Sequence, residues 1–254
     1  MNAHEIAEKI EGLITAGAEG YRHGDRLLSV RDLGESENVS AQTAAAAYSL
    51  LAVRGLVVTS KKSGTRVAAT KSASFRLGSF GKPDWNLKDW EVKDGTDEGT
   101  VSLYDLVFSN ADAHLAEIGF PEGSQVVERH FRKDIAGVPV QHKVTILPYD
   151  LARSMPQDSS YDGPPPMMTP VGHPVVDRPA GKSMMDWLGW DVAHNRVEIH
   201  NGPIGEMAAK VLGVPQGTPG LIANATIRDS SGNVLYVTIS TGLSTNVYVL
   251  DHEL

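Results

Sequence analysis

The sequence predicts an α+β protein in two parts, a small helical N-terminal domain and a larger domain built on an antiparallel sheet. Apolar residues recur with helical spacing through residues 1–54. Short runs rich in β-branched and aromatic residues, joined by hairpin turns, fill residues 99–254. Few helical patterns interrupt those runs, and this arrangement is typical of helices set against an antiparallel sheet.

Composition excludes several classes of protein. The chain has 254 residues, of which 41% are hydrophobic and 21% charged, so wholesale disorder is excluded. It has no cysteine, which excludes disulfide frameworks, thiolate metal sites and cysteine nucleophiles. No apolar run reaches membrane-spanning length, and the first residues lack the regions of a signal peptide. We therefore expect a cytoplasmic protein without a membrane partner.

Three helices are expected in the N-terminal domain. Ile6, Ile10 and Ile14 form one apolar stripe of a helix over residues 3–16. Ser29 has the character of a helix cap and begins a second, short helix that ends near residues 34–37. Ser40 caps an alanine-rich third helix that ends at residue 54.

A basic hairpin is expected after the third helix. Residues 56–59 and 65–67 are strands by composition, and the turn between them carries Lys61 and Lys62. Three helices and a basic hairpin are the parts of a winged helix-turn-helix, in which one helix enters the major groove of DNA and the hairpin contacts the backbone. Residues 1–70 hold 8 basic and 8 acidic side chains, so the net charge of −8 belongs to the rest of the chain. The acidic bulk is thereby kept away from phosphate groups.

Domain boundaries follow from these patterns. Residues 1–70 are predicted to form the DNA-binding domain, residues 71–98 a linker that leads into the second domain, and residues 99–254 the antiparallel-sheet domain. Hairpin turns are expected at residues 135–137 and 229–233, and a proline-rich irregular segment at residues 163–181.

Residues 4–67 resemble the DNA-binding domain of the GntR family of bacterial repressors. Four motifs carry the resemblance: Leu27-Leu28-Ser29-Val30-Arg31-Asp32-Leu33, Val39-Ser40-Ala41-Gln42-Thr43, Gly55-Leu56-Val57 and Ser63-Gly64-Thr65-Arg66-Val67. The resemblance implies DNA contacts from Arg31, Ser40, Ala41, Gln42, Thr43, Lys61, Lys62 and Gly64. The family usually has basic residues after the threonine of the third helix, where this chain has Ala44 and Ala45. More of the phosphate binding is therefore expected from the wing.

The second domain resembles the UTRA effector-binding domain of the HutC branch of that family. The motifs include Val126-Val127-Glu128-Arg129-His130-Phe131-Arg132, Gly137-Val138-Pro139-Val140 and Leu212-Gly213-Val214-Pro215. The resemblance implies that residues 99–254 form a domain for effector binding and dimerisation, with a chorismate-lyase-like fold that binds a small molecule between sheet and loops. The candidates for effector contacts are Arg129, Arg132, His142 and Tyr236. Arg129 and Arg132 lie three apart on one strand and should point to opposite faces.

Together these features predict a ligand-responsive repressor that binds a palindromic operator as a homodimer. Its effector is a small molecule of unidentified class, and no metal, cofactor or catalytic residue is expected. Two alternatives remain open. One is a ligand-independent repressor of the plasmid-transfer type, because residues 244–248 depart from the usual terminal motif of the HutC branch. The other is an enzyme with a chorismate-lyase-like domain, although no acid–base or nucleophile constellation supports it.

Overall fold

A computed structural model of the chain describes residues 1–60, 64–68, 73–76, 90–92, 99–135, 137–158, 160–173, 176, 178–179, 181–244 and 246–249. The N-terminal domain contains α1 (Ala3–Thr15), α2 (Val30–Ser36), α3 (Ala41–Val53) and a hairpin of β1 (Val57–Ser60) and β2 (Gly64–Val67). The predicted winged helix-turn-helix is therefore confirmed.

The three helices share one small apolar core. Helix α1 begins with a capping box, in which Asn2 accepts a hydrogen bond from the Glu5 backbone and the Glu5 side chain accepts one from the Asn2 backbone. Its stripe of Ile6, Ile10 and Ile14 is buried in the same cluster as the alanines of α3. Small side chains on α3 let α1 and α3 approach closely. Helix α2 and strand β1 of the wing pack against α3.

The wing has a third strand-like element that the sequence patterns did not predict. Arg26, in the segment between α1 and α2, forms an isolated antiparallel bridge with Arg66 of β2. The Leu27 backbone N–H donates to the Thr65 carbonyl over 2.9 Å. This pairing fixes the segment before α2 against the base of the wing.

The second domain is built on one six-stranded sheet. Its strands are β5 (Gly99–Asn110), β6 (Gln125–Ile135), β7 (Val138–Pro148), β8 (His194–Pro203), β9 (Pro219–Arg228) and β10 (Val234–Leu243). Their spatial order is β5-β6-β7-β10-β9-β8, and every neighbouring pair is antiparallel. The predicted α+β class with an antiparallel-sheet domain is confirmed.

The two faces of this sheet are covered by different connecting segments. The inner face, which includes Val127, Leu147 and Tyr236, packs against residues 149–192. Those residues contain α5 (Tyr149–Ala152), a 3₁₀ turn (Pro166–Met168) and α6 (Met184–Leu188). The outer face packs against α4 (Ala113–Ile118) and α7 (Glu206–Leu212). The proline-rich segment predicted as irregular therefore helps to cover the inner face.

A second, three-stranded sheet lies partly within the predicted linker. It consists of β3 (Ala73–Arg76), β4 (Trp90–Val92) and β11 (Val247–Val249), with β3 in the middle and parallel to β11. The backbone after the wing thus pairs with the end of the chain. The domain limits at residues 70 and 98 stay a prediction.

The N-terminal domain contacts the second domain through the wing. Val58 of β1 packs against a buried cluster on α7 that includes Ala209 and Leu212. Val214, just after α7, also belongs to this cluster. No helix in the described part of the chain combines the length and the apolar character needed to cross a membrane.

Candidate functional site

Serine caps define the helix-turn-helix. The Ser29 hydroxyl accepts a hydrogen bond from the Asp32 backbone, and the Ser40 hydroxyl accepts one from the Thr43 backbone, each over 3.1 Å. These caps satisfy backbone donors that a helix start leaves free. Tyr48 in α3 donates its hydroxyl to the Leu28 carbonyl over 2.8 Å and so ties the two helices together.

The first turn of α3 presents polar groups to solvent. Ala41 and Gln42 are exposed, and Thr43 is half-buried. The Ser40 and Thr43 hydroxyls lie 2.9 Å apart. Gln42 has a free amide that can pair with adenine in a major groove, and the helix start adds a favourable dipole for phosphate. The structure thus brings Ser40, Ala41, Gln42 and Thr43 onto one exposed surface.

Arg31 lies on the neighbouring helix, α2. Its Nε is 3.0 Å from Glu35 Oε1, and both side chains are largely exposed. An exposed ion pair of this type contributes little stability, so the guanidinium can exchange this partner for a phosphate. Helix α3 itself contains no charged side chain. Of the predicted DNA contacts on α2 and α3, Arg31 is the cation.

The wing adds a cation that the sequence analysis missed. Gly64 begins β2 with a positive φ of 76°, and a Cβ there would lie 3.1 Å from Nε of Arg26. The exposed Arg26 side chain therefore lies over the start of the returning wing strand. Only the bridge between Arg26 and Arg66 reveals this placement, because the two residues are far apart in sequence. Lys61 and Lys62 lie outside the described residues.

The structure separates the four predicted effector residues into two pairs. Strand register aligns Arg129 with Thr145, and Thr145 with Thr238, two residues from Tyr236. Arg129 and Tyr236 therefore belong to the inner face. Arg132 and His142 are register partners of each other on the outer face. A ligand between the sheet and residues 149–192 can contact the first pair alone.

Of the inner-face pair, Tyr236 is buried and Arg129 is half-buried. The Arg129 Nη1 donates to Met167 Sδ over 3.1 Å, and its guanidinium lies 5.1 Å from the Phe131 ring centroid. Desolvation lowers the pKa of Arg129 to about 10. Burial raises the pKa of Tyr236 above its ordinary value, so its hydroxyl stays protonated at neutral pH. The Tyr236 ring lies 6.0 Å from that of Trp190.

The outer-face pair has different surroundings. Arg132 Nε donates to Asp134 over 2.9 Å. His142 is buried, and its Nε2 lies 2.8 Å from the Tyr104 hydroxyl. Its ring stacks on His130 at 5.8 Å. Burial, and secondarily the His130 ring, lowers the pKa of His142 to about 4. The lowered pKa keeps the His142 ring neutral at neutral pH.

The N-terminal domain matches a known protein family. Residues 2–67 match the family of bacterial regulatory proteins called the gntR family. The N-terminal domain belongs to the gntR family. Its exposed helix start and wing are the parts with which a winged helix-turn-helix contacts DNA. No curated protein resembles the chain closely enough to count as a match.

Two solved structures share the fold along nearly the whole chain. PhnF from Mycobacterium smegmatis is 16% identical, with 98% of this chain and 99% of that chain covered and a TM-score of 0.51. A protein assigned provisionally to the GntR-family transcriptional regulators is 20% identical, with 99% and 96% covered and a TM-score of 0.51. At these identities the likeness shows the fold alone, a helical N-terminal domain followed by an antiparallel-sheet domain.

Proposed function

We propose that this protein is a transcriptional regulator that binds operator DNA through its gntR domain. The family match over residues 2–67 carries this proposal. The exposed first turn of α3 supports it, because a free helix start with Gln42 suits a major groove. The exposed side chains of Arg26 and Arg31 supply two cations to the domain, and the sequence supplies two more at Lys61 and Lys62.

The oligomeric state that suits this role is a homodimer. Two copies related by a two-fold axis read two half-sites of a palindrome, with the recognition helices one or more DNA turns apart. The second domain would supply most of the dimer contact, because the small gntR domain must leave its DNA-binding surface free.

Regulation requires that the second domain alter the placement of the gntR domain. The contact between Val58 and the α7 cluster supports a direct route, since it joins the wing to the sheet domain. A small effector on the inner face would act by favouring one arrangement of the two domains, and only a difference in its affinity for the two arrangements can do so. Release of the operator by ligand corresponds to a repressor.

The test is a fluorescence-anisotropy titration of the full chain against the DNA upstream of its own gene, at two salt concentrations. Scrambled DNA of equal length is the control. We expect selective binding that weakens steeply with salt, and a complex with two chains per palindrome by sedimentation. Equal affinity for operator and scrambled DNA, repeated with fragments selected from the whole genome, would reject the regulator and favour the enzyme alternative.

A further inference from the structure

A cleft of about 240 Å³ lies where the wing meets the second domain. Its walls come from both domains. The N-terminal domain contributes Gly24, Val58, Arg66, Val67 and Ala68, and the second domain contributes Gly213, Val214 and Pro215. An apolar cavity of about 150 Å³ is large enough for benzene, so this cleft can hold a substituted ring.

The walls of the cleft are mainly apolar. Val67 and Ala68 are buried at the end of the returning wing strand. Val58 packs against the cluster on α7, to which Val214 also belongs. Nothing lies within 4 Å of a Cβ added at Gly24, so the space in front of that residue is open. Apolar walls with a few polar groups are typical of small-molecule sites.

Two polar side chains lie at this cleft. Arg66 is exposed, and its Nη1 donates to the Gly24 carbonyl over 2.8 Å. His23 precedes Gly24, and its Nε2 lies 3.8 Å from the position of a Cβ added at Gly213. The Nδ1 of His23 is enclosed but has no hydrogen-bond partner among the described residues. A hydroxyl group can donate to or accept from such a ring nitrogen, and it can accept from a guanidinium.

The shape of the cleft depends on how the two domains are placed. Gly24 and Ala68 belong to the gntR domain, whereas Gly213 and Pro215 belong to the turn after α7. A molecule that contacts both walls therefore binds the arrangement seen in the structure better than one in which the walls are apart. By linkage, its binding stabilises that arrangement.

We propose that this cleft binds a small apolar alcohol or phenol. The ring of the molecule packs on Val58, Val67 and Val214, and its hydroxyl group lies toward Arg66 and His23. Because α7 packs on the outer face, the cleft is separate from the inner face of the sheet. Binding at the cleft is independent of the proposed function, and only control of DNA binding by the occupant rests on it.

Nuclear magnetic resonance of the full chain tests the site with cyclohexanol. We expect saturable changes in the amide signals of Gly24 and Gly213, one from each wall, with a dissociation constant on the order of 1 mM. Gly232, in the turn between β9 and β10, is the control within the same spectrum and should not change. Cyclohexylammonium has the same ring but a positive charge that Arg66 repels, and it should cause no change.

Three variants tie the response to the cleft. Ala68→Leu fills the cleft from a buried wall and should abolish the response. Ala46→Leu makes the same change at an exposed position of α3 and should respond like the wild type. Arg66→Gln removes the guanidinium, and the dissociation constant should rise about fivefold. Because Arg66 is exposed, this variant decides the question if Ala68→Leu does not fold.

Thermal unfolding gives an independent readout. At roughly ten times its dissociation constant, cyclohexanol should raise the Tm of the wild type by about 3 °C and leave that of Ala68→Leu unchanged. The proposal fails if the signals of only one wall change, or if Gly24 and Gly213 shift no more than Gly232. A wild-type response in Ala68→Leu, or an equal response to cyclohexylammonium, would also overturn it.

Operator binding is measured separately on the same wild-type protein. If cyclohexanol shifts both glycines but DNA binding is unselective, the cleft stands as a binding site and the regulator does not. Selective DNA binding without these shifts has the opposite meaning. A change in operator affinity on adding cyclohexanol, absent in Ala68→Leu, would join the two.

Discussion

Gln42 is an exposed amide in the first turn of α3, a helix that contains no charged side chain. Because an amide can pair bidentately with adenine, Gln42→Ala should lose about 1–3 kcal/mol of binding free energy at one base pair and relax the preference there. Anisotropy on operators with each base pair replaced in turn measures this. Ser49→Ala, further along the same helix, is the control. A uniform loss on all DNA would refute the assigned role of Gln42.

The cations around the wing should act differently from Gln42. Alanine at Lys61, Lys62 or Arg26 should weaken binding on every sequence and reduce the salt slope of log K by about one each, since each neutralises one phosphate. Titrations at several salt concentrations give the slope. Lys210→Ala, on the exposed surface of α7, should leave it unchanged. If the slope is unaffected in Arg26→Ala, then Arg26 does not touch the backbone of the DNA.

His142 should make the second domain sensitive to acid. Its folded pKa of about 4 lies below the unfolded value of about 6.5, so the unfolded chain binds more protons between these limits. The free energy of unfolding is therefore expected to fall by about 1–2 kcal/mol as pH drops from 6.5 to 4, after allowance for partial solvent screening. Above pH 6.5 this group contributes no pH dependence.

Thermal unfolding across that pH range checks the prediction. His142→Gln keeps a partner for the Tyr104 hydroxyl but cannot take up a proton, so its Tm should depend less steeply on pH. His194→Gln alters an exposed histidine of β8 and should behave like the wild type. Identical slopes in all three proteins would remove His142 as the cause.

At the scale of elements, the angle between α2 and α3 depends on a close approach at Gly34. A Cβ built at Gly34 would lie 3.0 Å from the Val39 carbonyl oxygen, in the turn between the helices. Gly12 in α1 is also helical, but nothing lies within 4 Å of its added Cβ. The two glycines therefore separate the steric effect from the effect of helix propensity.

Alanine substitutions at these glycines should have opposite signs. Gly12→Ala is expected to stabilise the gntR domain by about 0.5–1 kcal/mol, because alanine loses less conformational entropy in a helix. Gly34→Ala should destabilise it by about 1 kcal/mol, because crowding against Val39 exceeds that gain. Urea unfolding at constant m-value measures both. Stabilisation by Gly34→Ala would mean that the turn can relax.

At the scale of the whole molecule, a small apolar contact at Val58 joins the described parts of the two domains. Val58 of the wing packs against a buried cluster to which α7 contributes Ala208, Ala209 and Leu212. The gntR domain has no net charge, whereas the remainder carries −8. A small contact of this kind suits domains that must change their relative placement, because it can be broken without unfolding either core.

Val58→Asp should uncouple the domains. Placing a carboxylate in this cluster is expected to divide thermal unfolding into two transitions and to abolish any effect of ligand on DNA affinity, while affinity for the operator remains. Val53→Asp adds the same charge at an exposed position near the end of α3 and is the control. Scanning calorimetry and anisotropy provide the two readouts. Retained ligand control in Val58→Asp would rule out this contact as the route.

The sequence by itself determined the elements and the class of the protein. The stripe of Ile6, Ile10 and Ile14, the caps at Ser29 and Ser40 and the paired strands of the wing are local patterns, and each formed where its pattern indicated. Local propensity and apolar period decide such elements within a few residues. The exposed surface at the start of α3 was equally predictable as a surface, because Ser40, Ala41, Gln42 and Thr43 are consecutive on one turn.

Tertiary structure alone decided which distant residues meet. The approach of Arg26 to the wing depends on its bridge with Arg66, and the parallel pairing of β3 with β11 joins segments some 170 residues apart. Strand register placed Arg129 and Tyr236 on one face and Arg132 and His142 on the other. A one-residue shift in register would reverse these faces, and register is set by packing across the sheet, which no local pattern encodes.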